Sequence, residues 1–515
     1  VSGPGSITDL SRDRVPEAVT TEVCVVGSGA AGATAARVLA EAGREVLVLE
    51  EGGDFSGKQL TQRETAMYDQ LYMDRGGRAT EDLSISVLQG RVLGGGPLIN
   101  MCDVVPMSEA VMEHWRRRFG LKGFSPGALR PHARAALSDL SASPIDESQV
   151  NLANRLLRRG TRALGLRGRL MLHNRVGCQE LGTCLIGCPV GAKRTPRSVA
   201  IPAAVTAGAR FWVRARAVRI EGAAAETKEI AVRALDARGY HERQTVVVRA
   251  RTVILAANAV ATPQLLLRSG IGNEHVGRHL MLQPQLPLVA RFTERVEPFV
   301  GIPQAWAVTE YEQHDHRQHG LWGFRIEGIM GTPGIAATLL PFVGLEGKRR
   351  MTQLPHYAAA LLLVPDQPSG AVELTGGGRP LVRYRQRDDL RARLRRAARA
   401  AARIYLAAGA QEVIIPTAPP LLITRESQLG QIDGISFRPA SAPLLSAHQQ
   451  GTVRLSVDPA RGAATPDGQV YGTRGVYVFD TSINPSSASS HTMAPAITLA
   501  RYLSARLLGL GAGGG

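Results

Sequence analysis

No apolar run in this 515-residue chain approaches the length of a bilayer span. The longest candidate, GIAATLLPFVGL at residues 334–345, is too short and is broken by Pro341. A helical membrane-spanning protein is therefore excluded, and contact with a membrane surface is left without support. No secretory leader is visible either; a cytoplasmic setting is expected, with a leader already removed before Val1 left open. Cysteine is scarce and odd in number, at five. Cys178, Cys184 and Cys188 cluster in GCQELGTCLIGCPVGAKRT, while Cys24 and Cys102 stand alone. The cluster lacks both a CxxC pair and a fourth thiolate, which argues against a structural zinc or iron–sulfur site. Reduced packing thiols or one local disulfide fit better, and such sparse usage suits a reducing compartment.

Acidic residues are outnumbered, 44 against 61 basic, for a net charge of +17. The excess forms no basic tail. Its densest stretch, DDLRARLRRAARAAARIYLAAGA at 388–410, places Leu390, Leu394, Ala398, Ala401 and Ile404 near helical spacing. The arginines then decorate the opposite face of a helix that Asp388 and Asp389 start and Gly409 ends. No nucleic-acid partner is expected from this pattern. No repeat of solenoid period is present.

What the chain does contain is an ordinary globular composition, 44% hydrophobic and 20% charged, at a length that supports two domains. Near its start, TEVCVVGSGAAGATAARVLAEAGREVLVLEEGG gives a short buried strand (Val23, Val25, Val26), a GxGxxG turn, a helix of small residues and a second strand ending at Glu50. Each glycine has its own physical task. Gly27 permits the tight turn, Gly29 lets the backbone approach a pyrophosphate, and Gly32 lets helix and strand pack closely. The helix N-terminus then meets the phosphates, and the Glu50 carboxylate accepts hydrogen bonds from a ribose. This is a dinucleotide fingerprint, and it does not separate FAD from NAD.

Three further segments follow: QGRVLGGGPLINMCD, RTVILAANAVATPQLLLRSGIGN with a helix expected from near Pro263, and GVYVFDTSINPSSASSHTMAPAITLARYL with a strand ending at Asp480. In this order the four segments resemble the glucose–methanol–choline (GMC) oxidoreductase family, which binds FAD. GGGPLIN is similar to the family's GGxSxxN element, and LLLRSGIG to its LxxSGIG element. The resemblance implies that Gly27, Gly29, Gly32 and Glu50 hold the ADP half of FAD. It places Arg91, Gly95 and Asn100 along the pyrophosphate and flavin, Val218 beside the adenine, and Asp480 at the end of the last flavin-domain strand. Some members attach FAD through a histidine after the triple glycine; Pro97 and Leu98 stand there in this chain, so non-covalent FAD is expected. CLIGCPVGAKRT and the segments after it resemble the branch that contains long-chain alcohol oxidases, cholesterol oxidases and some sugar or polyol dehydrogenases.

The family also places a histidine before an xxGT turn and a histidine or asparagine at the start of the final helix. His448 in LLSAHQQGTVRLS and His491 in SSHTM match these positions. Oxidising an alcohol requires removal of a hydroxyl proton and a hydride from the same carbon, and an imidazole takes the proton at neutral pH. His448 is assigned as the general base and His491 as the donor to the alkoxide, with exchanged roles left open. The expected activity is oxidation of an apolar or long-chain alcohol, with O2 or a quinone reoxidising the flavin. A sugar or polyol dehydrogenase is the alternative. A flavin photodecarboxylase needs no general base, so the histidine pair argues against it; a flavin-containing lyase and a non-enzymatic FAD-binding protein are further alternatives that flavin reduction by an alcohol would exclude.

The expected fold is a discontinuous α/β FAD-binding Rossmann-like domain at about 15–105, 190–282 and 445–508. An α+β substrate domain with an antiparallel sheet takes about 106–189 and 283–444, and 509–515 is a flexible tail. AVELTGGGRPLVRYR reads as a hairpin. The apolar stretch GFRIEGIMGTPGIAATLLPFVGLEG could equally line a hydrophobic pocket or form plain core and loops.

Overall fold

The computed structural model describes residues 5–313, 322–329 and 331–510. Residues 511–515 of the expected tail and Met330 of the apolar stretch lie outside them. Two large sheets organise the chain. In the first, strands Ser6–Asp9, Arg210–Val213, Val46–Glu50, Ala18–Val26 and Glu242–Leu255 run parallel, and Val476–Val478 adds to the last three residues of Glu242–Leu255. Every residue of Val46–Glu50 is buried, as a strand covered on both faces requires, which is why it reads as the unbroken run VLVLE. The antiparallel strands Lys228–Leu235 and Ala215–Glu221 complete this sheet.

Register decides where the site falls. Val26 lies opposite Leu49 and Leu255, and Leu255 lies opposite Val478. The strands therefore end together at one edge, and Gly27, Glu50, Ala256 to Asn258 and Asp480 follow along a single crevice. Helix Ala30–Glu41 leaves that crevice carrying buried Ala31, Gly32, Ala33, Ala35 and Ala36, and packs on the C-terminal helix Met493–Leu507. Helix Asn258–Ser269 begins five residues before the expected Pro263. Asn258 Oδ1 accepts from Val260 N and Thr262 Oγ1 from Ala257 N, so polar side chains start this helix and Pro263 falls within its second turn. The last strand stops at Val478, and Asp480 instead caps the short turn Thr481–Ile483.

The second sheet is antiparallel, in the order Leu421–Ile423, Glu412–Ile415, Gln285–Arg291, Tyr357–Leu363, Arg325–Ile329, Trp306–Val308 and Gly168–Leu170. Helices Leu152–Ala163 and Asp388–Ala407 join its core through Leu156, Leu157, Leu390, Leu394 and Ala398. The arginine-rich helix forms as read, ending before Gly409, whose φ of +89° lies in the left-handed region. Arg393 departs from the solvated face: it is buried, donating to Pro365 O and, at 2.8 Å, to Asp389. Gly370–Leu374 and Pro380–Tyr384 form the expected hairpin. Strand Leu444–Ser446 pairs with Gln285 of the second sheet and with Ile85–Val87, and it delivers the chain to His448. Among the described residues no helix is long and apolar enough to cross a membrane.

Candidate active site

A cavity of about 1350 Å³ lies between the two sheets. Of the residues singled out in the sequence, Gly27, Gly29, Glu50, Arg91, Gly95, Asn100, Val218, His448, Asp480 and His491 all line it. Gly32 does not; a Cβ there would sit 1.9 Å from Gly27 O, so this position serves helix–strand packing. The floor is bare backbone from two separated glycine turns. Gly27 has φ +101° and Gly95 φ +62°, and a Cβ on Gly95 would stand 2.7 Å from Gly29 Cα. Only glycine lets these turns meet.

The acids at the crevice hold this backbone. Glu50, 7% exposed, accepts from Ser28 Oγ (2.6 Å), Ser28 N (3.1 Å) and Gly52 N (2.8 Å). Burial pushes its pKa up against those hydrogen bonds. Asp480 accepts from Thr262 Oγ1 at 2.6 Å and Asn258 N at 3.0 Å, joining the ends of two parallel strands. Arg91 borders the cavity, but its guanidinium donates to the carbonyls of Gly239 and Arg238 (3.1 and 3.2 Å) and lies over the Tyr240 ring. Asn100 Nδ2 meets Met493 Sδ at 3.4 Å, while its Oδ1 accepts from Cys102 N at 3.0 Å.

At the other end the two histidines come together, with ring centroids 5.0 Å apart and planes at 80°. Elements far apart in sequence bring them there: His448 follows the strand shared with Gln285, and His491 precedes the C-terminal helix. His448 Nδ1 lies 2.7 Å from Gln283 Oε1 and 3.2 Å from Gln285 Nε2. The closer atom can only accept, so Nδ1 carries the proton and Nε2 keeps its lone pair. His491 Nε2 lies 2.9 and 3.1 Å from the two oxygens of Glu327.

Glu327 is the residue the sequence reading missed. It is fully buried and takes hydrogen bonds from Gln304 Nε2 (3.0 Å) and Arg325 Nε, while Arg325 reaches Glu312 at 2.5 Å. The result is an alternating chain, Glu312–Arg325–Glu327–His491, whose charges cancel. Its signal was present in RIEGI: two opposite charges at i and i+2 share one face of an otherwise apolar strand, and such charges are buried only when paired. The remainder of that apolar stretch lines the cavity through Ile329, Gly334, Ile335, Thr338 and Leu339.

Electrostatics separates the imidazoles. Burial first, and then the neighbouring His491 charge, lower the His448 pKa to about 3, with Glu327 only partly opposing them. Burial also works against the His491 imidazolium, but the Glu327 carboxylate outweighs it and the pKa is raised. Glu327 itself, despite burial, is held at about 2 by His491 and Arg325. The surroundings thus favour the neutral imidazole at His448 and the charged one at His491. The arrangement can accept a proton at one nitrogen and stabilise negative charge at another.

The glycine-lined crevice on a parallel sheet, opened onto a histidine pair, defines a dinucleotide-binding protein of two-sheet α/β architecture, and its family makes it an FAD-dependent oxidoreductase. The chain belongs to the GMC oxidoreductase family: models described as GMC oxidoreductase match residues 68–285 and 366–500, and one described as an NAD(P)-binding Rossmann-like domain matches 25–86. It is 33% identical to an uncharacterised GMC-type oxidoreductase of Mycobacterium tuberculosis over 97% of this chain and 78% of that one. It is 26% identical to the long-chain-alcohol oxidase FAO4A of Arabidopsis thaliana, covering 92% and 66% of the two chains. The fold matches the crystal structure of pyridoxine 4-oxidase from Mesorbium loti with a TM-score of 0.72 at 17% identity, over 95% of this chain and 99% of that one.

Proposed function

We propose that this protein oxidises an alcohol, of apolar or long-chain type, with His448 as general base and His491 as the hydrogen-bond donor to the substrate oxygen. One observation carries the assignment: the two imidazoles meet at 5.0 Å in the cavity, and Glu327 biases them to opposite protonation states. Bound FAD would supply the hydride acceptor. The chain fits it. Gly27, Gly29 and Gly95 clear a backbone cradle that a Cβ would fill, and the cavity continues from there past Val218, Asn100 and Asp480 to the histidines. We assign Glu50 to the ribose, Arg91 to the pyrophosphate side of the cavity wall, and no covalent link, since Pro97 and Leu98 offer no nucleophile.

His448 gives its Nδ1 proton to Gln283 and thereby aims Nε2 as the acceptor of the hydroxyl proton. Glu327 occupies His491 Nε2, which leaves Nδ1–H to hold the oxygen on which negative charge develops. Glu327 supports this choice between the two roles. Ile329, Ile335, Leu339 and Leu361 give the cavity an apolar wall suited to an alkyl chain, and similarity to FAO4A over most of this chain favours the same class. With FAD bound, O2 or a quinone would serve as the final electron acceptor, and we place the reaction in the cytoplasm. The test is anaerobic mixing in the dark with long-chain primary alcohols, aryl alcohols, sterols and sugars. Bleaching of the flavin absorbance by the long-chain class supports the assignment; bleaching by sugars alone, or by light alone, overturns it.

A further inference from the structure

One loop of the cavity wall joins its two ends. Gly95 packs against Gly29 at the nucleotide end, and the Asp103 carboxylate lies within 4.8 Å of a His491 ring nitrogen at the other. Between them Pro97, Ile99, Asn100 and Met101 line the cavity. A cofactor that starts in the glycine turns and reaches the histidines has to pass this loop.

Two cations hold the loop from behind, and neither lines the cavity itself. Lys193, 5% exposed, donates from Nζ to Leu98 O and Asn100 O (both 2.7 Å) and to Cys184 O (3.1 Å). Arg175 lies opposite Lys193 across an antiparallel bridge, so the two side chains leave the same face. Arg175 donates to Met101 O and lies 3.8 Å from the sulfur of Cys178, one of five free thiols. Its Nε is buried and unpartnered. Among the described residues, every hydrogen-bond partner of the two cations is a backbone carbonyl or a thiol sulfur. Asp103 is within electrostatic reach of Arg175, but it stands 2.8 Å from His173 Nε2. Carbonyls satisfy the donors and leave the charge uncompensated, and a charge taken out of water without a counter-charge is costly. The place for the missing negative charge is the cavity on the other side of the loop.

We propose that Lys193 and Arg175 are positioning residues that favour the reduced FAD as an anion. The inference rests on the FAD reading of the cavity and is independent of which substrate is oxidised. A hydride brings the flavin two electrons and one proton, which leaves one negative charge on the ring system; a second proton would cancel it. Fixed positive charge behind the loop favours the singly protonated form, and so makes reduction easier.

The test needs no alcohol. Protein loaded with nitrogen-15-labelled FAD is photoreduced anaerobically at pH 6, and the flavin N1 signal is recorded. The expected spectrum shows N1 without a proton; a protonated N1 overturns the proposal. The reduction potential is then measured against a reference dye. Lys193→Met should lower the equilibrium constant for reduction at least tenfold, about 30 mV for a two-electron couple. Lys193→Arg keeps the charge and should restore most of it, and Arg175→Gln should shift it in the same direction as Lys193→Met. An unchanged potential in Lys193→Met, or an equal loss in Lys193→Met and Lys193→Arg, overturns the proposal, the second because it marks a purely structural role. If Lys193→Met does not fold, the wild-type N1 signal and the Arg175→Gln potential decide on the same terms. Flavin that binds with an unchanged potential leaves the FAD reading intact, whereas a chain that takes up no flavin absorbance overturns that reading and this proposal together.

Discussion

The two ends of the cavity are built by different means. At the nucleotide end the surface is backbone: Gly27, Gly29 and Gly95 clear the space, and two buried acids, Glu50 and Asp480, tie strand ends and turns together. At the histidine end the surface is side chain, and its properties come from a charge chain running from Glu312 through Arg325 and Glu327 into His491. A backbone site tolerates no added atom, whereas a side-chain site tolerates isosteric change but not a change of charge. Substitutions at the two ends should therefore fail in different ways: loss of cofactor at one, loss of proton handling with cofactor retained at the other.

The largest effect is expected at His448. His448→Ala removes the proton acceptor and should slow flavin reduction by the alcohol by roughly 10²–10⁴-fold, with the bound-flavin spectrum unchanged in anaerobic stopped flow. Glu327→Ala comes next. It strips a fully buried carboxylate from Arg325 and His491, and an orphaned buried charge costs about 3–5 kcal/mol, read as a lower denaturant midpoint. Glu327→Gln keeps the shape and removes the charge, so it separates catalysis from stability. Because Glu327 raises the His491 pKa against burial, kcat/KM in the wild type should fall on the alkaline side only above the ordinary imidazole range near 6.5. In Glu327→Gln burial and the Arg325 charge are opposed only by Asp103, and that limb should move to lower pH. At the other end, Gly95→Ala would place a Cβ 2.7 Å from Gly29 Cα at φ +62°. It should lower FAD occupancy, measured by the flavin-to-protein absorbance ratio, while the flavin that remains is still reduced by substrate.

The same contrast explains what the sequence made legible. The nucleotide end is local: strand, GxGxxG and Glu50 fall within one 30-residue unit, and each residue type answers a backbone demand that its spacing displays. The histidine end is assembled from strand Arg325–Ile329, the edge of Gln285–Arg291 and the turn before the last helix, more than 150 residues apart in places. His448 and His491 were found through family resemblance. Glu327, Gln283 and Gln285 carry no motif, and only tertiary packing brings them together. Arg91 shows the converse: its position on the cavity wall was legible, but the commitment of its guanidinium to Gly239 and Arg238 was not, because those carbonyls belong to a turn nearly 150 residues away.

Stability should carry the same signature. His448 has a folded pKa far below its unfolded value, so the native state resists its protonation. Its contribution is neutral above about pH 6.5 and becomes destabilising as pH falls toward 3. His491 has the opposite sign: its raised pKa contributes stability below about pH 6.5 that is lost as pH rises through the folded value. His448→Gln should flatten the acid side of the denaturation profile, a smaller effect than any above.

The central claim is that one carboxylate sets two neighbouring imidazoles to opposite protonation states. It is tested most directly by nitrogen-15 histidine NMR of the FAD-loaded protein at pH 7, with His448→Gln and His491→Asn used to assign the signals. The account predicts a neutral His448 protonated at Nδ1 beside an imidazolium at His491, the latter lost in Glu327→Gln. Two neutral rings, or the charge on His448, would contradict it.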